Sequence, residues 1–352
     1  ALRISVNLST RDLLDQALPL KIGAILKARS APPQALCLEI TESAIAHDPA
    51  RALQTLHALK AEGFKLSIDD FGAGQTSLAQ MAFAGVAGFA LSKIGTGWGL
   101  PFPLAPLLAC AVATVFGVLV GFPALRVRGT NLAIVTLAGG VAISEFVFKN
   151  PSIVGDASTG GAKIPHPSLG SWDFALVLGT KSSRPVFGIF LVVVVAIAAL
   201  AVANLRSSAS GRRMLAVRSN ERAASAVGID VGRSKLAVFA LSSFLAGAAG
   251  CLIAYRFGSV SDASYGTIAS LTALAVAYLG GITSVSGAVT AGIVASSGVA
   301  FYALGRVMSS VGRWEALVSG VLLIVAAISN PEGIAGAVRN RAAIRRAQEV
   351  AA

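Results

Sequence analysis

Charge, cysteine, histidine and aromatic side chains are all scarce in this chain. Of its 352 residues, 13% are charged and 7% aromatic, with three cysteines and three histidines. An ordinary globular domain carries about a quarter charged residues. The shortfall, with 55% hydrophobic residues and a mean hydropathy of +0.73, excludes a plain soluble domain and points to a membrane protein. Cys37, Cys110 and Cys251 show no paired spacing, so neither a disulfide framework nor a zinc site is indicated. His47, His57 and His166 form no motif. The glycine-rich "LGGITSVSG" (279–287) lacks the Lys-Ser/Thr ending of a phosphate-binding loop and reads as a tight turn between spans. No ATP-hydrolysing motif is present, so no cofactor is expected in this chain. The chain begins at Ala1 without a signal-peptide pattern, and further sequence upstream is expected.

Acidic residues are the scarcer sign, 17 against 29 basic ones, for a net charge of +12. The deficit is not uniform. Residues 1–80 hold eight basic and eight acidic side chains, so the remainder carries 21 basic and 9 acidic residues and all of the excess. The first part is balanced like a soluble domain, whereas the second is apolar and basic. Its basic residues fall between apolar runs, which suits the positive-inside rule rather than a nucleic-acid partner.

Within the first part, "LRISVNLS" (2–9), "ALCLEITES" (35–43) and "KLSIDDFGAG" (65–74) read as strands. Apolar residues at helical spacing over 11–30, and the Asp-Pro start of 48–64, predict a helix in each interval. The β-α-β-α-β alternation implies parallel strands, whose C-terminal ends gather chemistry. Asn7, Glu39, Asp69 and Asp70 fall at such ends, as oxygen donors suited to Mg²⁺ or a similar hard cation. "VNLS", "LEITES" and "IDDFGAG" resemble, in order and spacing, the EAL-type cyclic di-GMP phosphodiesterase domain. The resemblance implies an incomplete TIM-like barrel over residues 1–74. It also implies that Asn7, Glu39, Asp69 and Asp70 are ligands of a two-metal site. The family's signature segment would lie upstream of Ala1. Its later strands do not follow residue 80, so the four ligands are expected to be vestigial, with Mg²⁺ relevant only if the fragment were active.

Beyond Gly74, apolar stretches near bilayer length, about 20 residues, recur to the end. Eight are read: 77–94, 101–122, 130–149, 186–204, 235–256, 267–281, 284–304 and 315–329. Many of their residues are small, as at close helix interfaces in membranes. Arg126 and Arg128, the group Arg206, Arg212, Arg213, Arg218, Arg222, Arg233 and Lys235, and the tail Arg339, Arg341, Arg345 and Arg346 then fall on one side, the cytoplasmic one. The Gly-, Pro- and Ser-rich stretch 150–185 falls outside. Both termini are expected inside. Glu145 is the one acidic residue within a span. It is a functional candidate by position, but Lys149 four residues on offers an interfacial pair.

The basic segment 205–235 holds "RSNERAASAVGID" (218–230), which reads as a short helix stopped by Gly228. Glu221 near its start complements the helix dipole. "NERAASAVG" resembles the Glu-Ala-Ala coupling segment of ABC importer permeases, and residues 75–352 as a whole resemble the branched-chain amino acid permease family. "AGQTSLAQMAFAGV" (73–86), "GFPALRVRGTNLAIVTLA" (121–138), "NERAASAVGID" (220–230), "LGGITSVSGAVTAG" (279–292) and "NPEGIAGAVR" (330–339) carry the match. The resemblance implies a multi-spanning subunit of the bacterial inner membrane, surrounded by lipid. Its partners would be ATPase subunits that use the ATP, a second permease subunit and a periplasmic solute-binding protein, and its substrate an amino acid. Asn220, Glu221, Ala223, Ala224 and Gly228 would form the ATPase-coupling segment. About two leading helices of the family are missing before residue 73.

The two patterns meet near residues 72–79, where "FGAG" continues one and "AGQTSLAQ" begins the other, without a linker. The chain is therefore read as a chimera: a polytopic α-helical membrane protein of about eight spans, residues 75–352, behind a partial α/β fragment, residues 1–74. The alternatives are a membrane-anchored cyclic di-GMP phosphodiesterase and a chimera that does not assemble. In a cysteine-free background, a single cysteine at Ser168 is expected to react with an impermeant thiol reagent in intact cells, and one at Ser207 to be protected. Equal labelling would contradict the eight-span topology.

Overall fold

The computed structural model describes residues 4–41, 48–69, 77–125, 130–150, 162–170, 172–175, 185–219, 221–282, 284–295, 298–299 and 334–335. The chain divides into two compact units, residues 1–76 with 129–131 and residues 77–128 with 132–352.

In the first unit, strands β1 (Ile4–Leu8), β2 (Leu36–Thr41) and β3 (Lys65–Asp69) form a parallel sheet with β2 in the centre. Helices α1 (Thr10–Leu14) and α2 (Leu18–Ala28) connect β1 to β2, and α3 (Pro49–Ala61) connects β2 to β3. The single helix expected over 11–30 is two helices. Pro19 has no N–H to donate and its ring would clash with the carbonyl four residues back, so it is tolerated only in a first turn. The chain breaks at 15–17, where the Ala17 N–H donates to Asp15 Oδ1 at 2.9 Å, and Pro19 opens α2. Ser9 and Asp12 cap α1 reciprocally: the Asp12 N–H donates to Ser9 Oγ and the Ser9 N–H to Asp12 Oδ2. The Ser9 hydroxyl, which donates to Asp12 Oδ2 at 2.7 Å, and then the Ser9 N–H hold the Asp12 carboxyl below its usual range.

Leu8, Leu38 and Ile40 share one face of the sheet and are buried with Leu13, Ala52, Leu59 and Phe64 from the helices and the α3–β3 turn. Each such side chain contributes about 1.5–3 kcal/mol by leaving water.

The second unit is helical. Helix α4 (Gln80–Ser92) continues through a π turn to Gly97. It is followed by α5 (Leu104–Ala124) and by α6 (Thr130–Ile143) with its π turn to Phe148. Strands β4 (Ala162–Lys163), β5 (Ser168–Leu169) and β6 (Trp172–Asp173) precede α7 (Pro185–Ser207). Then come α8 (Ala209–Ser219), α9 (Glu221–Ala226), α10 (Val231–Phe257), β7 (Ser259–Val260), α11 (Thr267–Gly280) and α12 (Val285–Val294).

α5, α7 and α10 are long and apolar enough to cross a membrane. α4 is read from its sequence as a comparable span, but it is shorter and lies at the centre of the unit, buried on nearly every side. Its Ala and Gly residues leave almost no side-chain bulk, so neighbouring backbones close on it. A Cβ on Gly250 of α10 would overlap the Ala84 backbone of α4, and one on Gly117 of α5 would overlap Ser243 of α10. Gln80 Nε2 donates to Ser242 Oγ at 2.8 Å near the start of α4. Further along, Gly88 lies against Val260, so α4 and α10 run in the same direction. α5 runs the opposite way, with Ala113 near Gly247 and Gly121 near Phe239.

One end of this unit is tied by a short antiparallel pairing of β4 with β7, by the Ser92 hydroxyl donating to the Lys163 carbonyl at 2.6 Å, and by the Ile164 N–H donating to the Gly258 carbonyl. Phe102, Phe174, Phe190 and Tyr255 stack there, joining the 162–175 segment to α5, α7 and α10. Trp98, Phe146, Trp172 and Phe257 are exposed toward the same end.

The stretches 267–281 and 284–304, expected to be two spans, are described through residue 295 as two short helices, α11 and α12, bent by 117° at their junction. At 1.5 Å per residue, their 14 and 10 residues reach roughly 21 and 15 Å. Each is less than the ~30 Å hydrocarbon core, so the pair is a broken span or a re-entrant hairpin. Gly281, at φ 112°, supplies the turn that a residue with a Cβ resists. The Ser284 Oγ then accepts from the Gly287 N–H at 3.0 Å and starts α12. The expected span 315–329 and the arginines of the tail lie outside the described residues.

Gly250→Val is expected to lower the thermal stability of the detergent-solubilised chain, because overpacking costs about 1–3 kcal/mol and here meets backbone. Gly188→Val, where a Cβ meets nothing within 4 Å, is the control. Equal midpoints for the two variants would show that α4 and α10 are not in close contact.

Candidate functional site

The acidic strand ends of the first unit come together through register. Asn7 of β1 pairs with Glu39 of β2, and Glu39 with Ser67 of β3; Asp69 follows Ser67 by two residues. Asn7, Glu39 and Asp69 therefore hold neighbouring register positions on strands ~4.8 Å apart. Asp70 lies outside the described residues. Among the described residues, no three His, Cys, Asp or Glu side chains converge on a point suited to a metal ion.

At the end of the helical unit opposite the aromatic cluster, α7 arrives and α10 departs. Between them the chain makes an elbow. Ser208 caps α8, its Oγ accepting from the Gly211 N–H at 3.1 Å, and Arg212 Nη1 donates to the Ser207 carbonyl at 2.7 Å. α8 packs against both α7 and α10, with Val217 buried. Arg206, Arg212, Arg213, Arg218 and Arg233 stand exposed around this elbow. Arg126 and Arg128 lie outside the described residues, directly after the α5 end that reaches the same region.

Of the short helix expected over 218–228, residues 218–219 are the end of α8 and residues 221–226 are α9. Asn220, between them, lies outside the described residues. α9 stops as its sequence implies. The Gly228 N–H donates to the Ser225 carbonyl and the Ile229 N–H to the Ala224 carbonyl, both at 3.0 Å, with Gly228 at φ 81°. This is a Schellman stop, and glycine adopts its left-handed residue at no steric cost. A Cβ on Gly228 would meet nothing within 4 Å, so the requirement for glycine lies in the backbone. Ala224 is buried, whereas Ala223, Ala226 and Val227 are exposed.

Asp230 then caps α10, accepting from the Arg233 N–H at 3.0 Å and pairing with Arg233 Nε at 3.2 Å.

The structure brings Glu221 and Lys235 together. Glu221 stands at the start of α9 and Lys235 in the first turns of α10. Lys235 Nζ lies 2.6 Å from Glu221 Oε1, with the lysine side chain 5% exposed and the glutamate 20%. The pair escapes any helical-spacing rule, because 14 positions separate the two. Its sequence signal is symmetry: each lies seven residues from Gly228, so a reversal there brings them face to face. Glu145, by contrast, makes the local pair its spacing suggests, 2.7 Å from Lys149, with both side chains more than half exposed.

Residues 63–327 match the family described as the permease component of branched-chain amino acid transport systems. Residues 1–93 match the EAL domain. Among curated proteins, the chain is 30% identical over 291 residues to the high-affinity branched-chain amino acid transport system permease protein LivM of Salmonella typhimurium, covering 78% of this chain and 67% of that protein. It is 31% identical over 281 residues to LivM of Escherichia coli, covering 74% of this chain and 64% of that protein. The chain thus spans about two thirds of the length of these relatives. Its first part is 46% identical over 80 residues to an uncharacterized signaling protein of Caulobacter vibrioides, covering 23% of this chain and 10% of that protein.

Proposed function

Because this chain belongs to the permease-component family of branched-chain amino acid transport systems, we propose that it is a membrane-spanning subunit of an ABC importer. It would carry branched-chain or related amino acids by alternating access. The observation that carries the coupling role is the elbow of α8 and α9. It joins two long apolar helices, carries the arginines, and ends in a Schellman stop that fixes the direction in which α9 leaves the membrane unit.

In this reading, ATPase subunits close on α9 and use the ATP, and the movement reaches the spans. A second permease subunit completes the solute path, and a periplasmic solute-binding protein delivers the amino acid. The arginine-rich end faces the cytoplasm by the positive-inside rule, and the exposed Trp98, Phe146 and Phe257 lie at the opposite headgroup level of the inner membrane. The eight apolar stretches of 75–352 form the membrane domain. The bent pair α11–α12 returns the chain to the side it came from, so the even count keeps both termini cytoplasmic. Discontinuous helices of this kind line solute paths in other transporters.

Residues 1–74 form a vestigial barrel fragment that does no chemistry, since a two-metal mechanism needs its whole ligand set and the motif series stops at "IDDFGAG". The second reading, a membrane-anchored phosphodiesterase, draws on the neighbouring register positions of Asn7, Glu39 and Asp69. The purified chain with Mg²⁺ is expected to leave cyclic di-GMP intact. Turnover that disappears on Asp69→Asn would establish the second reading instead.

Gly228→Val forces a β-branched residue into the left-handed region at about 1–2 kcal/mol and leaves the spans untouched. Membrane abundance is expected to stay near parental, while solute-stimulated ATP hydrolysis and uptake by the reconstituted transporter fall together. Parental transport by Gly228→Val would reduce 218–228 to a solvated loop.

A further inference from the structure

Lys235 poses the sharpest question in the helical unit. Its ammonium is almost wholly buried, in the first turns of α10. That position is unfavourable twice over: the N-terminal end of a helix repels a cation, and burial strips the charge of water. Among the described residues, Lys235 forms its ion pair with Glu221, at 2.6 Å. The glutamate is in turn well placed, as the first residue of α9, where the free N–H groups favour an anion.

The pair spans the reversal that Gly228 creates. It fastens the start of α9 to the body of α10, while the Schellman stop fastens the end of α9 to the start of α10. Ala224 is buried along α9 from Glu221, three residues on, and Ala223, Ala226 and Val227 remain exposed on the rest of the helix. α9 therefore has one side held down by a buried charge pair and another side open at the tip of the elbow. α10 in turn packs directly on α4 and α5, through Gly250 against Ala84 and Gly117 against Ser243.

From this geometry we infer that Glu221 and Lys235 are positioning residues that pin α9 to α10, so that a push on the exposed side of α9 moves α10 as one piece with it. The inference rests on the coupling role proposed above for this segment. The ion pair adds a link from the start of this surface helix to the central helices, beside the Schellman stop at its end. Without the pin, α9 would hinge about Gly228 and absorb the push.

The test separates the pin from the fold and from the coupling role. The double variant Glu221→Gln with Lys235→Met removes the pin without leaving either charge buried alone, and is compared with the charge-exchanged double variant Glu221→Lys with Lys235→Glu. Each is assembled with its partner subunits in proteoliposomes. Three quantities are read: membrane abundance, solute moved per ATP hydrolysed, and thiol crosslinking of a cysteine at Val227 to the ATPase subunit.

The neutral double variant is expected to keep its abundance and its crosslink while solute moved per ATP falls roughly tenfold, within the usual range of coupling between sites. The exchanged variant is expected to recover most of the loss. A parental ratio in the neutral double variant, with the crosslink retained, overturns the pin and leaves the coupling role standing. A loss of abundance that parallels the loss of transport overturns it in favour of a purely structural pair. Failure of Val227 to crosslink in the otherwise unaltered chain overturns the coupling role, and the pin with it.

Discussion

Close approach of backbones through glycine and alanine is the constraint on which the helical unit depends. In lipid no hydrophobic gain distinguishes one apolar helix contact from another, so association rests on dispersion and the few polar contacts available. α4 meets that condition by having almost no side-chain bulk where α10 crosses it. Gly250 sits against the backbone of Ala84, and Ala113, Ala87 and Gly247 meet nearby. The polar contacts are few and specific: Gln80 to Ser242, the Leu78 N–H to Thr136 Oγ1, and the Tyr265 hydroxyl to the Gly250 carbonyl. Each is worth about 1 kcal/mol, so the packing carries most of the order.

The two ends of the unit are built on different principles. At one end, aromatic rings and a two-residue sheet pairing hold the 162–175 segment against the helices, and further aromatic side chains stand exposed. At the other, charge does the work. Five exposed arginines surround an elbow whose centre is a buried Glu221–Lys235 pair. Removing the glutamate from such a pair costs about 3–5 kcal/mol, because the almost wholly buried Lys235 ammonium loses its counter-charge. The exposed Glu145–Lys149 and Asp230–Arg233 pairs carry no such penalty, being screened by solvent. Geometry alone thus singles out one of several Glu/Asp–Lys/Arg pairs as structurally decisive.

The chain joins parts of two families, and the two matches overlap across residues 63–93. The overlap has a physical side. One pattern needs a glycine turn after a strand, and the other needs a small-residue entry into a helix. "FGAGQTSLAQ" (71–80) satisfies both. The break between compact units falls within the same stretch, so the change of family and the change of packing coincide.

Composition and charge placement determined that this is a membrane protein with an unlike first part. Local motifs determined the three parallel strands, the helix over 49–61, the Gly228 stop and the Glu145–Lys149 pair, because each depends on neighbours within a turn or a strand repeat. The sequence also carried both family resemblances. Tertiary structure decided what depends on residues far apart. α4 reads as a span like any other, since hydropathy cannot tell lipid from a shell of helices. The stretches after 267 read as two spans, since their bend depends on how glycines at 280, 281 and 287 meet in space. Lys235 reads as one more loop cation. Its burial became visible only when the chain reversed at Gly228 and brought Glu221 within hydrogen-bonding distance, because a charge's environment is set by what the fold packs around it.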